Sequence, residues 1–184
     1  MVSARVLRRS VFAVAAGLPL WSTAADALEL TSPDMANGAA VAIAQVNSRC
    51  GGENRSPGLA WSGAPKGTQS YAVTMFDSDA NGGRGFWHWL VFDIPAAMQS
   101  LGGGLARAAA LPNGMVQAAN DFGSTGYGGA CPPPGSGTHH YTVTVYALPV
   151  PRLPLDSNAT ASGVAAYLKS HALATATLIE TYKR

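Results

Sequence analysis

Charge is scarce in this chain: only 12% of its residues are Asp, Glu, Lys or Arg, and no like-charged run exceeds two residues. That excludes the basic face a nucleic-acid partner needs, and it excludes a polybasic membrane patch. Long apolar runs are also missing. The longest, Val11 to Trp21, is too short to span a bilayer comfortably. There is no internal repeat, and no linker is long enough to divide the chain into separate domains. H-E-x-x-H and G-x-S-x-G are absent, so two common hydrolase signatures are excluded.

What is present begins with a leader. Arg5, Arg8 and Arg9 precede the apolar run, and Ala25-Asp26-Ala27 forms a small-x-small cleavage site. This is the layout of a signal peptide over residues 1–27. The alternative is an N-terminal anchor that stays uncut. The Arg8-Arg9 pair leaves the export route open between general and twin-arginine secretion. Residues 28–184 then form one domain, exported to the periplasm or beyond. Removing Arg5, Arg8, Arg9 and Asp26 leaves nine basic and nine acidic residues, so the mature domain is neutral.

Abundant glycine, 21 residues, and sparse charge favour a β-rich fold with many turns. Gln69–Asp77 alternates, with Tyr71, Val73, Met75 and Asp77 on one face. Trp87–Ile94 is almost continuously apolar, as a central strand covered on both faces would be. Tyr141–Leu148 alternates and is β-branched. Leu28–Thr31 and Val41–Val46 are weaker strand candidates. Asp156, Ser157 and Asn158 offer caps for a helix running to Lys169 or His171, and Ala174–Tyr182 reads as a terminal strand.

Two stretches carry the chemistry. Asp77-Ser78-Asp79-Ala80-Asn81 leads through a glycine-rich hairpin to Trp87-His88-Trp89. Gly126 to Gly135 runs through Cys131-Pro132-Pro133-Pro134 to His139-His140-Tyr141. Antiparallel pairing is expected to bring Asp77 beside His88, fixing the ring's tautomer and favouring its charged form. Asp79 either joins this site or caps turn amides. His139 and His140 point to opposite faces, so only one belongs in a pocket. Cys50 and Cys131 either form a disulfide in an oxidising compartment or stay as buried thiols.

These residues look familiar. Cys50-Gly51-Gly52-Glu53-Asn54-Arg55-Ser56-Pro57-Gly58-Leu59-Ala60-Trp61, the stretch from Asp77 to Trp89 and the stretch from Asn120 to Tyr141 resemble three motifs of the phosphatidylethanolamine-binding proteins, in the bacterial Raf-kinase-inhibitor-like branch. The resemblance implies a mainly β fold, a large antiparallel sheet packed on a smaller one with peripheral helices. It implies a shallow pocket for phosphate or a phospholipid head group, formed by Asp77, His88, His139, Tyr141 and the backbone N–H of Cys131, next to Pro132 and Pro133, with Asp79 bracing the loop. It also places Cys50 and Cys131 near that pocket. Four departures stand out. Ser78 and Asn81 occupy positions where the family has proline, Ala130 replaces another proline, and His140 replaces an arginine. A loop freed of two prolines is expected to keep trans geometry and to be looser, so that proline at 78 would tighten binding.

The function read from the sequence is therefore an exported, non-enzymatic binding protein with a small-anion pocket and no cofactor or metal. Two alternatives remain. One is a periplasmic inhibitor that meets a protease or other target enzyme through its surface. The other is a hydrolase built on the His and Asp residues. A homodimer is left open, and nucleic acid is not a partner.

Overall fold

The computed structural model describes residues 27–184; all but the last residue of the leader, 1–27, lies outside them. Eight strands and two helices are numbered in chain order. The larger sheet is antiparallel, in the order β6 (Val116–Gln117), β4 (Phe86–Pro95), β3 (Ser70–Asp77), β7 (His139–Leu148) and β8 (Ala174–Tyr182). The smaller joins β1 (Glu29–Thr31), β2 (Leu59–Ser62) and β5 (Ser100–Leu101). The mainly β architecture of two packed sheets is thus observed.

Alternation along β3 decides where the cores sit. Tyr71, Val73 and Met75 face the smaller sheet and pack with Leu30, Trp61, Trp89 and Val143. Ala72 faces the other way, into a second core with Leu90, Phe92, Val164 and Leu168. The last two belong to α2 (Ala161–His171), which covers that side. β4 supplies both cores, which is why its sequence shows no polar face. It manages this with two irregularities in its pairing with β3. At one, Asp93 takes a left-handed φ of 57° and its carboxylate accepts from the Leu153 N–H. At the other, an extra residue lies between Trp87 and Trp89, and that residue is His88.

Two expectations change. Val41–Val46 is not a strand. Its centre is a 3₁₀ turn, Ile43–Gln45, closed by local bonds such as Val46 N–H to Ile43 O. The residues before it lie along the edge of β8 instead, where Val41 N–H donates to Thr181 O and Thr181 N–H to Ala39 O. α2 is capped by Thr160, whose hydroxyl accepts from Gly163 N–H at 3.1 Å, and not by the residues at 156–158. Asp156 caps only a preceding turn, accepting from Asn158 N–H. The short β2, β5 and β6 carry too few residues to display a period.

Cys50 and Cys131 are joined in a disulfide with Cα atoms 5.7 Å apart. It ties the 3₁₀ turn Ser48–Cys50 to the loop before β7. Its 81-residue separation corresponds to about 4 kcal/mol in the chain-entropy view. Glu180 on β8 lies opposite Tyr141 and is only 2% exposed. Burial, with the Asp34 charge adding to it, pushes its carboxyl up to about 7.

Two outcomes are expected. A raised carboxyl pKa means that the folded state keeps a proton the unfolded chain has released, so stability falls as pH rises from 4.5 to about 7. Glu180→Gln should therefore gain on the wild type across that window and hold its gain above it, read as melting temperature at pH 5 and pH 8. Intact mass of protein purified without reductant should show no alkylation until a reductant is added; two freely alkylated thiols would contradict the bond.

Candidate functional site

The C-terminal end of β3 and the N-terminal ends of β4 and β7 meet at one edge of the larger sheet. There they open a pocket of about 550 Å³, within the usual range for small-molecule sites. Asp77, Asp79, His88, Cys131, Pro132, Pro133, His139 and Tyr141 all line it. So do Phe86, Phe122, Ser136 and the turn α1 (Ala80–Gly83), which the sequence reading did not single out.

The register explains the meeting. Asp77 pairs across with Tyr141 on β7 and with Phe86 on β4. The extra residue in β4 lets His88 and Phe86 share the pocket while Trp89 still enters the core. A regular pairing would have left one of the two misplaced.

Asp77 is the hub. It is 2% exposed. One oxygen, Oδ1, accepts from the Asp79 N–H at 2.9 Å and the Ala80 N–H at 3.2 Å. The other, Oδ2, lies 2.7 Å from His139 Nδ1 and 4.0 Å from His88 Nε2. The expected order is thus reversed: the close partner of Asp77 is His139. His88 turns its Nδ1 to Gly128 O at 2.6 Å, so that nitrogen carries the proton. Burial drives the His88 ring toward its neutral form, below the usual histidine range, against the pull of the Gly128 carbonyl and the Asp77 charge. His88 therefore presents a lone pair on Nε2, where the sequence reading expected a positive charge.

Tyr141 is fully buried, and its hydroxyl has no hydrogen-bond partner among the described residues. Burial, with the nearby Asp77 charge, pushes its phenol far up, so it is a donor at any physiological pH. The backbone N–H of Cys131 likewise has no protein acceptor among the described residues. Both residues line the pocket beside the His139–Asp77 pair.

The far wall is held by asparagines. Asn120 Nδ2 donates to Gly126 O at 2.9 Å, and its Oδ1 accepts from Phe122 N–H at 3.0 Å. Asn54 Oδ1 accepts from Gly129 N–H at 2.7 Å. Gly129 must be glycine, because a methyl there would run into the Gln45 carbonyl and the Asn47 amide. Phe86, Phe122 and His88 then pack edge to face, with centroids 4.7 to 5.3 Å apart.

The 77–85 loop is better tied than its missing prolines implied. Asp79 Oδ2 accepts from His140 N–H at 2.8 Å and meets its Nδ1 at 2.9 Å. His140 thus points away from the pocket and clasps the loop. Asn81 Nδ2 donates to Gly85 O, and Ser78 N–H donates to His140 O. Asn81 has φ 54°, which proline cannot adopt. Every peptide bond among the described residues is trans.

Comparison with known proteins gives a consistent result. The family model described as "Phosphatidylethanolamine-binding protein" matches residues 31–183. The UPF0098 protein YbcL of Escherichia coli is 42% identical over 167 residues, covering 89% of this chain and 91% of its own. Its crystal structure superposes with a TM-score of 0.81, over 85% of this chain and 98% of that one. A Mycobacterium tuberculosis protein named as a lipoprotein, LppC, is 38% identical over 160 residues, covering 87% of this chain and 74% of its own.

Because Ser78 N–H is in use, proline at 78 should not tighten the site. Ser78→Pro deletes the bond to His140 O, a loss of about 1 kcal/mol. The expected outcome is a melting temperature lower by roughly 2–4 °C in a domain of this size, with weaker rather than stronger sulfate binding by calorimetry.

Proposed function

The chain belongs to the phosphatidylethanolamine-binding protein family, and from that premise we propose that it is an exported protein that reversibly binds a small anion, a phosphate or a phosphorylated head group. The observation that carries this reading is the pair of unused donors, Tyr141 Oη and Cys131 N–H, in a pocket shared with His139. A buried hydroxyl left unpaired costs about 1–3 kcal/mol, and an anionic oxygen satisfies it. Among the described residues no Lys or Arg lines the pocket, while Arg184 reaches the carbonyl of pocket-lining Pro132 at 3.4 Å. Contacts to an anion therefore come chiefly from the His139 ring, held against Asp77, together with neutral donors. The neutral His88 adds an acceptor, which suits a ligand oxygen that still bears a proton.

Export accounts for the Cys50–Cys131 bond and agrees with the lipoprotein name of the mycobacterial relative. The role assigned here is holding the anion, not converting it.

Sulfate calorimetry measures the binding directly, with phosphorylethanolamine as the head-group probe. His139→Ala should weaken sulfate binding by about tenfold or more, and His88→Gln should weaken it less. Absence of binding by the wild type, or wild-type affinity in His139→Ala, would overturn the reading.

A further inference from the structure

The hydroxyl of Ser136 lies 2.9 Å from His139 Nε2, on the far side of the ring from the bond to Asp77. Carboxylate, imidazole and hydroxyl thus stand in line, each in hydrogen-bond contact with the next. Asp77 and His139 are buried, at 2% and 4% exposure, whereas Ser136 is exposed at the mouth of the same pocket. The three come from chain positions 77, 136 and 139, and no contiguous motif marks them. Such a constellation is defined by geometry and roles, not by sequence order.

The surroundings support each role. Two backbone N–H groups donate to Asp77 Oδ1 and fix the orientation of the carboxylate. Its Oδ2 holds the proton of a neutral His139 on Nδ1, which leaves the lone pair on Nε2 facing Ser136. Ser136 sits between Gly135 and Gly137, at φ 77° and 93°, in a turn that residues with side chains rarely make. Its own N–H donates to Pro133 O, fixing the hydroxyl's position. Cys131, whose N–H has no protein acceptor among the described residues, lines the same pocket. Phe86 and Phe122 supply an apolar wall for the rest of a substrate.

We propose that Ser136 is a nucleophile activated by His139 and Asp77, and that this gives the pocket a second capacity, the hydrolysis of small carboxylic esters. Ser136 Oγ bonds to the ester carbonyl carbon while its proton passes to His139 Nε2. The bond from that carbon to the alcohol oxygen then breaks, and the imidazolium returns the proton to the departing alcohol. Water attacks the acyl-serine by the same route, giving its proton to His139. Ser136 Oγ leaves with that proton, and a carboxylic acid is released. Asp77 stays ionised throughout, and nothing is oxidised or reduced.

This capacity goes beyond anion binding. The Ser136 hydroxyl also donates to Pro133 O at 2.7 Å, so it must turn from that carbonyl to His139 Nε2 before it attacks. Around the pair stand Asp77 on β3, His88 on β4, Tyr141 on the ring's own strand, Tyr182 opposite it on β8, and Arg184, whose carbonyl accepts from Gly135 N–H. Because anion and ester would share one pocket, sulfate should inhibit the hydrolysis.

The test uses the mature domain with its disulfide intact. It is incubated with a fluorophosphonate probe, followed by intact mass and peptide mapping, and separately with 4-nitrophenyl butyrate. The expected result is one adduct per chain, on Ser136, formed more slowly when sulfate is present. Ser136→Ala should remove both the adduct and the hydrolysis. His139→Ala should slow adduct formation by roughly 100-fold or more, and His171→Ala, on α2 away from the pocket, should leave it unchanged. An adduct elsewhere, no adduct, or equal hydrolysis by Ser136→Ala would overturn the proposal. Sulfate calorimetry on the wild type runs alongside. Labelling without sulfate binding keeps the nucleophile and removes the anion reading. Sulfate binding without labelling does the reverse.

Discussion

One buried carboxylate organises this end of the molecule. Asp77 spends one oxygen on two backbone amides, which shapes the turn after β3, and the other on His139, which opens β7. A carboxylate at 2% exposure is costly to bury unless each oxygen is paired, so turn and histidine stabilise it as much as it stabilises them. Remove that charge and the turn loses its cap, the ring loses its orientation, and the pocket loses the wall that both supply. The Asp79–His140 pair repeats the arrangement at the exposed rim, where hydrogen bonds from the His140 side chain and backbone draw the Asp79 pKa below the usual range.

Much of this was legible in the residues. Alternation in β3 and β7 gave faces that the two cores respect, and the opposite orientations of His139 and His140 followed from a period of two. The terminal strand, Ala174–Tyr182, emerged with the bounds read from its β-branched residues. The partner of Asp77 was not legible, because which neighbour lies closer depends on one extra residue in β4, and a bulge leaves no mark in composition. The segment at 41–46 misled for a related reason. It is apolar enough for a strand, but the parallel bridges of its flanks to Thr181 and Ala130 are long-range facts.

Ser136 shows a different limit. A search for short nucleophile motifs passes over it, since Gly135-Ser136-Gly137 resembles any turn. Only when β3 and β7 are side by side does the hydroxyl find a ring already held by a carboxylate. The same pairing sets one ring between a buried carboxylate and an exposed hydroxyl.

The strip of chain lying along the edge of β8 has a kinetic consequence. Asn37 Oδ1 accepts from Ile179 N–H across 142 positions, and Gly38, Ala39 and Val41 continue the seam. An N-terminal stretch made first must therefore wait, unpartnered, until nearly the last residues have been made. Closing so long a loop is slow. The seam cannot assemble stepwise as the chain grows. Until it closes, the β8 edge is open to strand addition by other chains, so the interval before closure is when this domain is most exposed to misassembly.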